Sequence, residues 1–524
     1  MNESTHHEKK FILKKTLEVS LATMLSRLLG LARVVLLAKY LGVGIISDAF
    51  LAAFRIPNSL RKIFAEGALS AAFIPTIVGV VHEEGVAQAS RLMTLAFIFF
   101  EGILALLCIL IFAGAPWVIK LVAPGFSPEH IAYATPYLRI LVSFILFISS
   151  SALLTGALQS VNHFFIPAMG PVLLNIVFIA SLITGLMYGL PVEYLCYGIL
   201  CGGILLFLMH LIVYFQRGFC FASINASAWR SFRLVLTKFA PVLFSMSVME
   251  INLVIDTIFA SYLPHGSYTI VEYASRFMGI PLGVFSVAFA TILLPHFSRI
   301  SKQAPERLGF YLRESAKFIF FVTVPATIFM SIFAHDIFST IFLSSKFSLE
   351  HVMVAQYVLI GFLIGLFFFS INKVLLNVYY ALHANWIPTL VSIIATILNI
   401  GFNFVGAYFL GAPGLALATT CSGAIQAALF TYFLRTKFGF DLQLNQFANF
   451  ALRYLGQLIL ITPLIMAMHT GIKYAIGLFC SSTVAQFMLT NIGFWLWTGP
   501  LCALAAILII TTKRWFGVQL HFVD

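Results

Sequence analysis

Apolar residues along this chain occur in continuous runs of about 20 residues or more, separated by short polar segments. A helix on the surface of a soluble protein has one apolar face that recurs every 3.6 residues, whereas these runs are apolar on every side. A transmembrane β-barrel would instead show segments of alternating polarity. The pattern therefore predicts an all-α polytopic membrane protein.

Fourteen runs are long enough to cross a bilayer as helices. They lie at 17–40, 46–81, 92–115, 136–159, 165–189, 193–215, 239–263, 270–297, 315–334, 352–381, 386–410, 413–434, 451–471 and 488–511. The second and tenth runs are the longest, so we expect these two spans to bend or to extend beyond the hydrocarbon.

The composition agrees with a membrane protein, because 61% of the 524 residues are hydrophobic and only 10% are charged. A soluble enzyme is thereby excluded. The net charge of +12 does not indicate a nucleic-acid partner, since the basic residues are scattered among short loops. We also find no catalytic motif and no metal-ligand spacing among the seven cysteines, which predicts a protein that is not an enzyme.

The basic residues predict the orientation of the chain in the membrane. Nineteen of the 31 Lys and Arg residues fall on the side that holds both termini, and four fall on the opposite side. Short loops rich in Lys and Arg remain in the cytoplasm. We therefore expect both termini to be cytoplasmic.

An internal repeat predicts two lobes. The segment AFRIPNSLRKIFAEGALSAAFIP, at 53–75, resembles SRFMGIPLGVFSVAFATILLPHF, at 275–297, and the prolines Pro57 and Pro281 of the two copies are 224 residues apart. The repeat predicts two six-helix lobes related by pseudo-symmetry, with two extra C-terminal helices. The predicted boundaries are 1–216 for the first lobe, 217–238 for a cytoplasmic linker, 239–437 for the second lobe, and 438–524 for the last two spans and the tail.

Residues 26–75 place charged side chains inside apolar, helix-forming sequence. An ionised group deep in a bilayer costs roughly 2.5 to 3.5 kcal/mol, so several arginines there must face water or a partner. The motifs SRLLGLAR, DAFLAAFRIPNSLR and FAEGALSAAFIP occur in this order, and together they resemble the MurJ/MviN family of lipid II flippases. The resemblance extends to about residue 437 and implies a member of the multidrug/oligosaccharidyl-lipid/polysaccharide exporter superfamily.

The resemblance implies a diphosphate-binding role for the arginines Arg27, Arg33, Arg61 and Arg276. A guanidinium suits a diphosphate because its planar fork donates two parallel hydrogen bonds and stays charged. The alternative is that some of these arginines pair with acidic residues and only hold the lobes together. The resemblance also leads us to expect acidic residues beside Arg33 and Arg276. The positions concerned are instead Val34, Ser275 and Gly279, so less negative charge is expected around the two arginines.

Three charged residues are candidates for a gate that opens and closes during transport. They are Asp48, Glu66 and Lys373. Lys373 is set deep in the second lobe, where pairing with Glu66 and snorkelling to the nearer surface are equally favoured interpretations.

A second constellation is a candidate sodium site, since similarity to the family implies that spans 7, 11 and 12 hold the ion. It consists of Asp256, Asn399, Asn403, Leu415 and Thr419. The alternatives are interhelical hydrogen bonding by the Asn and Thr side chains, or a protonated Asp256.

The resemblance implies a flippase that moves undecaprenyl-diphosphate-linked peptidoglycan precursor, lipid II, to the periplasmic leaflet of the bacterial inner membrane by alternating access. The expected partners are lipid II, membrane lipids and proteins of cell-wall synthesis or division, with no cofactor other than the candidate sodium ion. The alternatives are a polysaccharide-lipid flippase or multidrug/cation antiporter of the same superfamily, a polyprenyl-linked polymerase or ligase, and a scaffold for the cell-wall machinery.

Overall fold

A computed structural model describes the backbone of residues 2–384, 386–440, 443–490 and 493–521. Side chains are described from residue 21 onward in these ranges, apart from positions 65, 66, 68, 245, 248, 249, 252, 253 and 305. Helices account for almost all of this part of the chain, and twelve helical stretches within it are long and apolar enough to cross a membrane. The all-α membrane fold is confirmed.

The chain divides into two compact units, Met1–Thr269 and Ile270–Asp524. The helices that begin in the first unit are α1 Asn2–Leu41, α2 Ile45–Leu60, α3 Ser70–Ala113, α4 Ala115–Val122, α5 Pro128–Val142, α6 Phe144–Ser160, α7 Phe165–Tyr188, α8 Val192–Gln216, α9 Ala226–Ser261 and α10 Ser267–Pro281. The other helices are α11 Ala288–Gln303, α12 Leu308–Ile332, α13 Ala334–Phe342, α14 Leu349–Ile364, α15 Leu366–Ala381, α16 Trp386–Leu410, α17 Ala412–Phe438, α18 Leu444–Phe479, α19 Ser482–Thr490 and α20 Phe494–Thr512.

The predicted spans correspond to these helices, with breaks that the hydropathy alone did not locate. The second span consists of α2, a π-helical segment and the start of α3, and α3 departs from helical geometry at Gly85, where φ is 84°. The tenth span is divided between α14 and α15 at Gly365. The seventh span, α9, packs on α3 within the first unit. The lobe boundaries drawn from the repeat stay a prediction.

Both copies of the internal repeat contain a π-helical segment after their Ile-Pro pair. The first runs from Arg61 to Leu69 and the second from Leu282 to Val287. In a π-helix each turn holds one more residue than in an α-helix, and such segments are frequent at functional sites. Pro57 and Pro281 lie just before them, and neither proline can donate the backbone hydrogen bond of a regular helix.

Apolar clusters stabilise each unit separately. In the first unit, helices α3, α6 and α9 share a core that includes Phe73, Leu153 and Phe232. In the second unit, α12, α18 and α20 pack around Tyr454, whose hydroxyl donates to the Phe321 carbonyl at 2.7 Å. Of the candidate residues, Asp256 lies on a helix of the first core, α9.

Candidate functional site

Asp48 lies in the first turn of α2 and is almost completely buried, with 3% of its surface exposed. Its carboxylate accepts hydrogen bonds from the Gly266 N–H at 2.6 Å and the Thr269 N–H at 2.9 Å. It also accepts one from the Thr269 hydroxyl at 2.6 Å. These amides belong to the amino terminus of α10, where N–H groups have no partner within the helix and the helix dipole favours a negative charge. Asp48 therefore caps α10 from outside that helix.

The backbone at Gly266 makes this cap possible. Its φ is +86°, a left-handed conformation that favours glycine, and a Cβ atom there would lie 2.2 Å from Val43 Cγ1. On the other side of the carboxylate, His130 Nε2 lies 4.0 Å from Asp48 Oδ2, and the rings of His130 and His265 are 4.8 Å apart. The gating role of Asp48 stays a prediction. The partners that the structure gives it are amides, a hydroxyl and an imidazole, not an arginine.

Glu250, on α9, is the acid that pairs with the second span. Lys62 Nζ lies 3.2 Å from Glu250 Oε1, and the Ser59 hydroxyl donates to Glu250 Oε2 at 2.9 Å. Ser59 and Lys62 lie on either side of the point where α2 becomes π-helical. This contact joins α9 to the start of the π-helical segment of the second span within the first unit.

Arg61 is oriented by a neutral partner. Its Nε and one terminal nitrogen donate to Asn58 Oδ1 at 3.4 Å and 3.1 Å. Arg55, six residues earlier in the span, donates to the Thr257 hydroxyl at 3.5 Å. An amide or hydroxyl partner positions a guanidinium without cancelling its charge.

Arg33 is held in a similar way by an aromatic ring. Its guanidinium carbon lies 5.0 Å from the centre of the Phe178 ring, and Phe178 also packs on Phe54 at 6.3 Å. A cation–π contact uses the face of the guanidinium and leaves its positive charge in place. Arg27, on the same helix, is exposed, and its neighbour Ser26 accepts from Asn175 at 3.0 Å and 3.2 Å.

Arg276 lies on α10 in the second unit and has an acidic partner. One terminal nitrogen lies 2.8 Å from Glu272 Oε1, one turn earlier in the helix. The expectation of little negative charge around this arginine is therefore wrong at this position. The expectation rested on Ser275 and Gly279 alone, whereas Glu272, four positions before Arg276, shares a helix face with it.

The neutral members of the candidate sodium site form one hydrogen-bonded network between α16 and α17. Asn403 donates to Asn399 Oδ1 at 2.9 Å, and Asn399 donates to the Ser422 hydroxyl at 3.4 Å. Thr419 donates to the Leu415 carbonyl at 3.0 Å. These oxygen atoms are hard ligands of the kind sodium accepts, and each bond is also an ordinary helix contact. Asp256, the acidic member, is half-buried on α9 in the first unit.

The two helices of this network approach closely because glycines face each other. A Cβ atom added to Gly414 would lie 1.9 Å from the Gly406 carbonyl oxygen, so only glycine fits there. The close approach brings the side chains of Asn399 and Asn403 within reach of α17. Among the described residues, no group of three or more His, Cys, Asp and Glu side chains has metal-binding geometry.

Of the other two gate candidates, Lys373 is half-buried on α15 in the second unit. Glu66 falls among the positions whose side chains lie outside the described set. Their predicted pairing stays a prediction.

A family model described as lipid II flippase MurJ matches residues 37–488 of the chain. The chain belongs to the MurJ family. It is similar to a probable lipid II flippase MurJ of Haemophilus influenzae, at 33% identity over 78% of this chain and 83% of the relative. It is also similar to a lipid II flippase MurJ of Burkholderia cenocepacia, at 32% identity over 81% and 84%. The resemblance seen in the motifs is confirmed.

Solved structures agree with this assignment. A lipid II flippase MurJ in an inward closed conformation matches 95% of this chain and 97% of its own, with a TM-score of 0.75 at 27% identity. An inward-facing multidrug resistance MATE family transporter of the MOP superfamily matches 81% of this chain and 98% of its own, with a TM-score of 0.70 at 15% identity. The second likeness shows a shared fold alone. The chain is therefore a multi-span membrane protein with the MurJ fold.

The motif positions shared with the MurJ family pointed to the arginines and to Asp48, but two acids were missed. Glu250 and Glu272 each sit in apolar helical sequence and pair with a basic residue of the repeat or its neighbourhood. An acid inside an apolar run is itself a signal of function. The rule that singled out residues 26–75 therefore also points to Glu250 on α9 and Glu272 on α10.

Proposed function

We propose that this chain is a lipid II flippase that moves the undecaprenyl-diphosphate-linked precursor of peptidoglycan from the cytoplasmic to the periplasmic leaflet by alternating access. The observation that supports it most strongly is membership of the MurJ family over residues 37–488. The chain would work in the bacterial inner membrane with both termini in the cytoplasm, as the distribution of basic residues predicts. Other proteins of cell-wall synthesis or division remain proposed partners.

The arginines provide the chemistry that a diphosphate needs. Arg33 contacts the ring of Phe178, and Arg61 donates to the amide oxygen of Asn58, so each guanidinium is held in a defined orientation. A diphosphate offers several oxygen atoms that accept paired hydrogen bonds from such groups. Arg27 and Arg276 complete the proposed set, and Arg276 would exchange its bond to Glu272 for a bond to the substrate.

Asp48 supports a gate at one end of α2. Its hydrogen bonds to Gly266 and Thr269 satisfy backbone groups that would otherwise be exposed or unpaired. Such a contact stabilises one arrangement of α2 and α10, and another arrangement forms only when these bonds break. We propose that Asp48 holds the protein in one state of the transport cycle.

Sodium coupling is a second part of the proposal. The ligands would be the oxygen atoms of Asn399, Asn403, Leu415 and Thr419 together with the carboxylate of Asp256. Bound sodium would supply positive charge and fix these groups in one arrangement. Replacing Asp256 by Asn and Asn399 by Ala should then remove any dependence of transport on sodium, measured against potassium at equal ionic strength. Unchanged sodium dependence in that double variant would instead favour protons or membrane potential as the driving force.

The experiment that tests the main proposal is transport of labelled lipid II by purified protein in liposomes, followed with a membrane-impermeant reagent that modifies only the outer leaflet. Arg33→Ala should lose transport. Arg139→Ala is the matched control, since Arg139 also lies over a phenyl ring, Phe112 at 5.5 Å, but is exposed and lies outside the proposed set. Wild-type protein that flips no lipid II but exports a cationic drug would overturn the proposal.

A further inference from the structure

Two cavities lie beside the start of α12 in the second unit. The larger lies where α12 meets the chain that follows α20, and the smaller lies where it meets the end of α17 and the chain that follows. The larger has a volume of about 620 Å³ and the smaller about 510 Å³, and Phe310 lines both. The larger cavity is lined by Phe310, Glu314, Lys317, Arg514, Gly517, Val518, Gln519, Leu520 and His521. None of these residues belongs to the proposed diphosphate, gate or sodium groups.

The walls of the larger cavity are fixed by hydrogen bonds around Glu314, of which only 5% is exposed. Lys317 Nζ lies 2.7 Å from Glu314 Oε1, and Arg313 Nε lies 3.4 Å from the same oxygen. The backbone N–H of His521 donates to Glu314 Oε2 at 3.5 Å. Glu314 therefore connects α12 to the end of the described tail.

Contacts from α18 hold the other side of the tail. Arg453 donates to the Gly517 carbonyl at 3.5 Å, and Gln457 donates to the Ile509 carbonyl at 2.8 Å. The cavity is thus bounded on several sides by elements that are bonded to one another. Little rearrangement is needed to admit a small ligand.

The charge of the lining favours an anion. Lys317 and Arg514 line the cavity together with one carboxylate, Glu314, which already has Arg313 beside it as well as Lys317. Among the described residues that line the cavity, positive charge therefore exceeds negative charge. Phe310 and Leu520 add apolar surface beside the charged groups.

The position of the cavity identifies the source of the anion. Arg514 and Trp515 lie at the end of the candidate membrane span Phe494–Phe516, and Trp515 is 83% exposed. Exposed Trp next to Arg or Lys at the end of a span marks the level of the lipid headgroups. Basic pockets between helices at that level bind phosphate groups of anionic lipids.

We propose that this cavity binds the phosphodiester headgroup of an anionic phospholipid of the phosphatidylglycerol class. Arg514 and Lys317 hold the phosphate, while Phe310 and Leu520 contact the glycerol and the start of the acyl chains. This site is separate from the residues proposed to bind lipid II. A negative result for phospholipid binding would therefore not argue against lipid II transport, and a negative result for transport would not argue against the phospholipid site.

The test measures binding of dioleoylphosphatidylglycerol to the detergent-purified full chain by native mass spectrometry. Dioleoylphosphatidylcholine is the comparison, because its phosphodiester is balanced by a quaternary ammonium and the lipid has no net charge. Arg514→Gln and Lys317→Gln should each weaken phosphatidylglycerol binding about fivefold, because one basic residue contributes about that factor at a membrane surface. Phosphatidylcholine binding should not change. If Lys317→Gln fails to fold because Glu314 loses a partner, the exposed Arg514 still provides the test.

Arg230→Gln is the matched control. Arg230 is exposed and follows the exposed Trp229 near the start of α9, but it lines neither cavity. The Arg230→Gln variant should bind phosphatidylglycerol as tightly as the wild type does. Equal loss in Arg230→Gln and Arg514→Gln would overturn the proposal, because it would show general surface attraction. Equal wild-type affinity for both lipids, or displacement of the lipid by millimolar inorganic phosphate, would also overturn it.

Discussion

The two copies of the internal repeat have similar backbones and different charges. At the spacing that aligns Pro57 with Pro281, Asp48 corresponds to Glu272, so each copy has an acid nine residues before its proline and a π-helical segment after it. The first segment begins with Arg61 and Lys62, whereas the second, Leu282 to Val287, holds no charged residue.

The acids at corresponding positions have different partners. Asp48 accepts from backbone amides at the start of α10, while Glu272 pairs with the side chain of Arg276. In the second π-helical segment the buried Ser286 donates to Ser370 at 2.6 Å. The π-helical backbone is therefore common to both copies, whereas the charged side chains proposed to recognise the anion are placed differently in each.

The largest expected effect separates the two π-helical segments. Arg61→Ala should reduce lipid II transport to background, because it removes a guanidinium proposed to bind the diphosphate. Ser286→Ala should keep most of the transport, since it removes only one hydrogen bond between hydroxyls. The liposome assay measures both, with insertion checked by gel filtration. Equal transport by the two variants would remove the functional distinction between the copies.

The next effect separates the two acids. Asp48→Asn should lower the free energy of unfolding by roughly 3 kcal/mol, because hydrogen bonds to a buried charge are lost and an amide donor would face other donors. Glu272→Gln should cost less than about 1 kcal/mol, since its pair with Arg276 is partly exposed. Thermal unfolding in detergent measures both. A larger cost for Glu272→Gln would contradict the assignment of Asp48 as a helix cap.

A smaller effect concerns the pair between Lys62 and Glu250, in which Lys62 is about one third exposed. Glu250→Gln should destabilise the protein by roughly 1 kcal/mol, and Lys62→Gln by a similar amount. The double variant should cost less than the sum of the two, because each single change already breaks the same contact. Strictly additive costs in thermal unfolding would show that the two side chains do not interact.

Much of the fold could be predicted from the sequence, because the apolar runs and the positions of charged residues can be read directly from it. The runs of apolar residues located the spans, and the spacing of Pro57 and Pro281 located the repeat. The π-helical segments were not predicted, since they depend on how each helix packs beyond its proline. The partners of Asp48 could not be predicted either. Two of them are backbone N–H groups, such as that of Gly266, and every residue except proline has one.

The candidate site was predicted unevenly for a similar reason. Motifs indicated Arg33 and Arg61, but Phe178 and Asn58 became visible as their partners only in the folded chain. Asn399 and Asn403 are four residues apart, a spacing that puts them on one face of a helix, and they do bond to each other. Their extension to Ser422 depends on the close approach of Gly406 and Gly414, which a single sequence does not reveal.

The central claim is that the arginines recognise a diphosphate, and the shape of the side chain tests it most directly. Lysine keeps the positive charge of arginine but lacks the planar fork that donates two parallel hydrogen bonds. We would therefore measure lipid II transport by Arg27→Lys and Arg276→Lys proteins beside the corresponding Ala variants. Lys variants as inactive as the Ala variants are the predicted result, and Lys variants close to wild type would contradict diphosphate recognition.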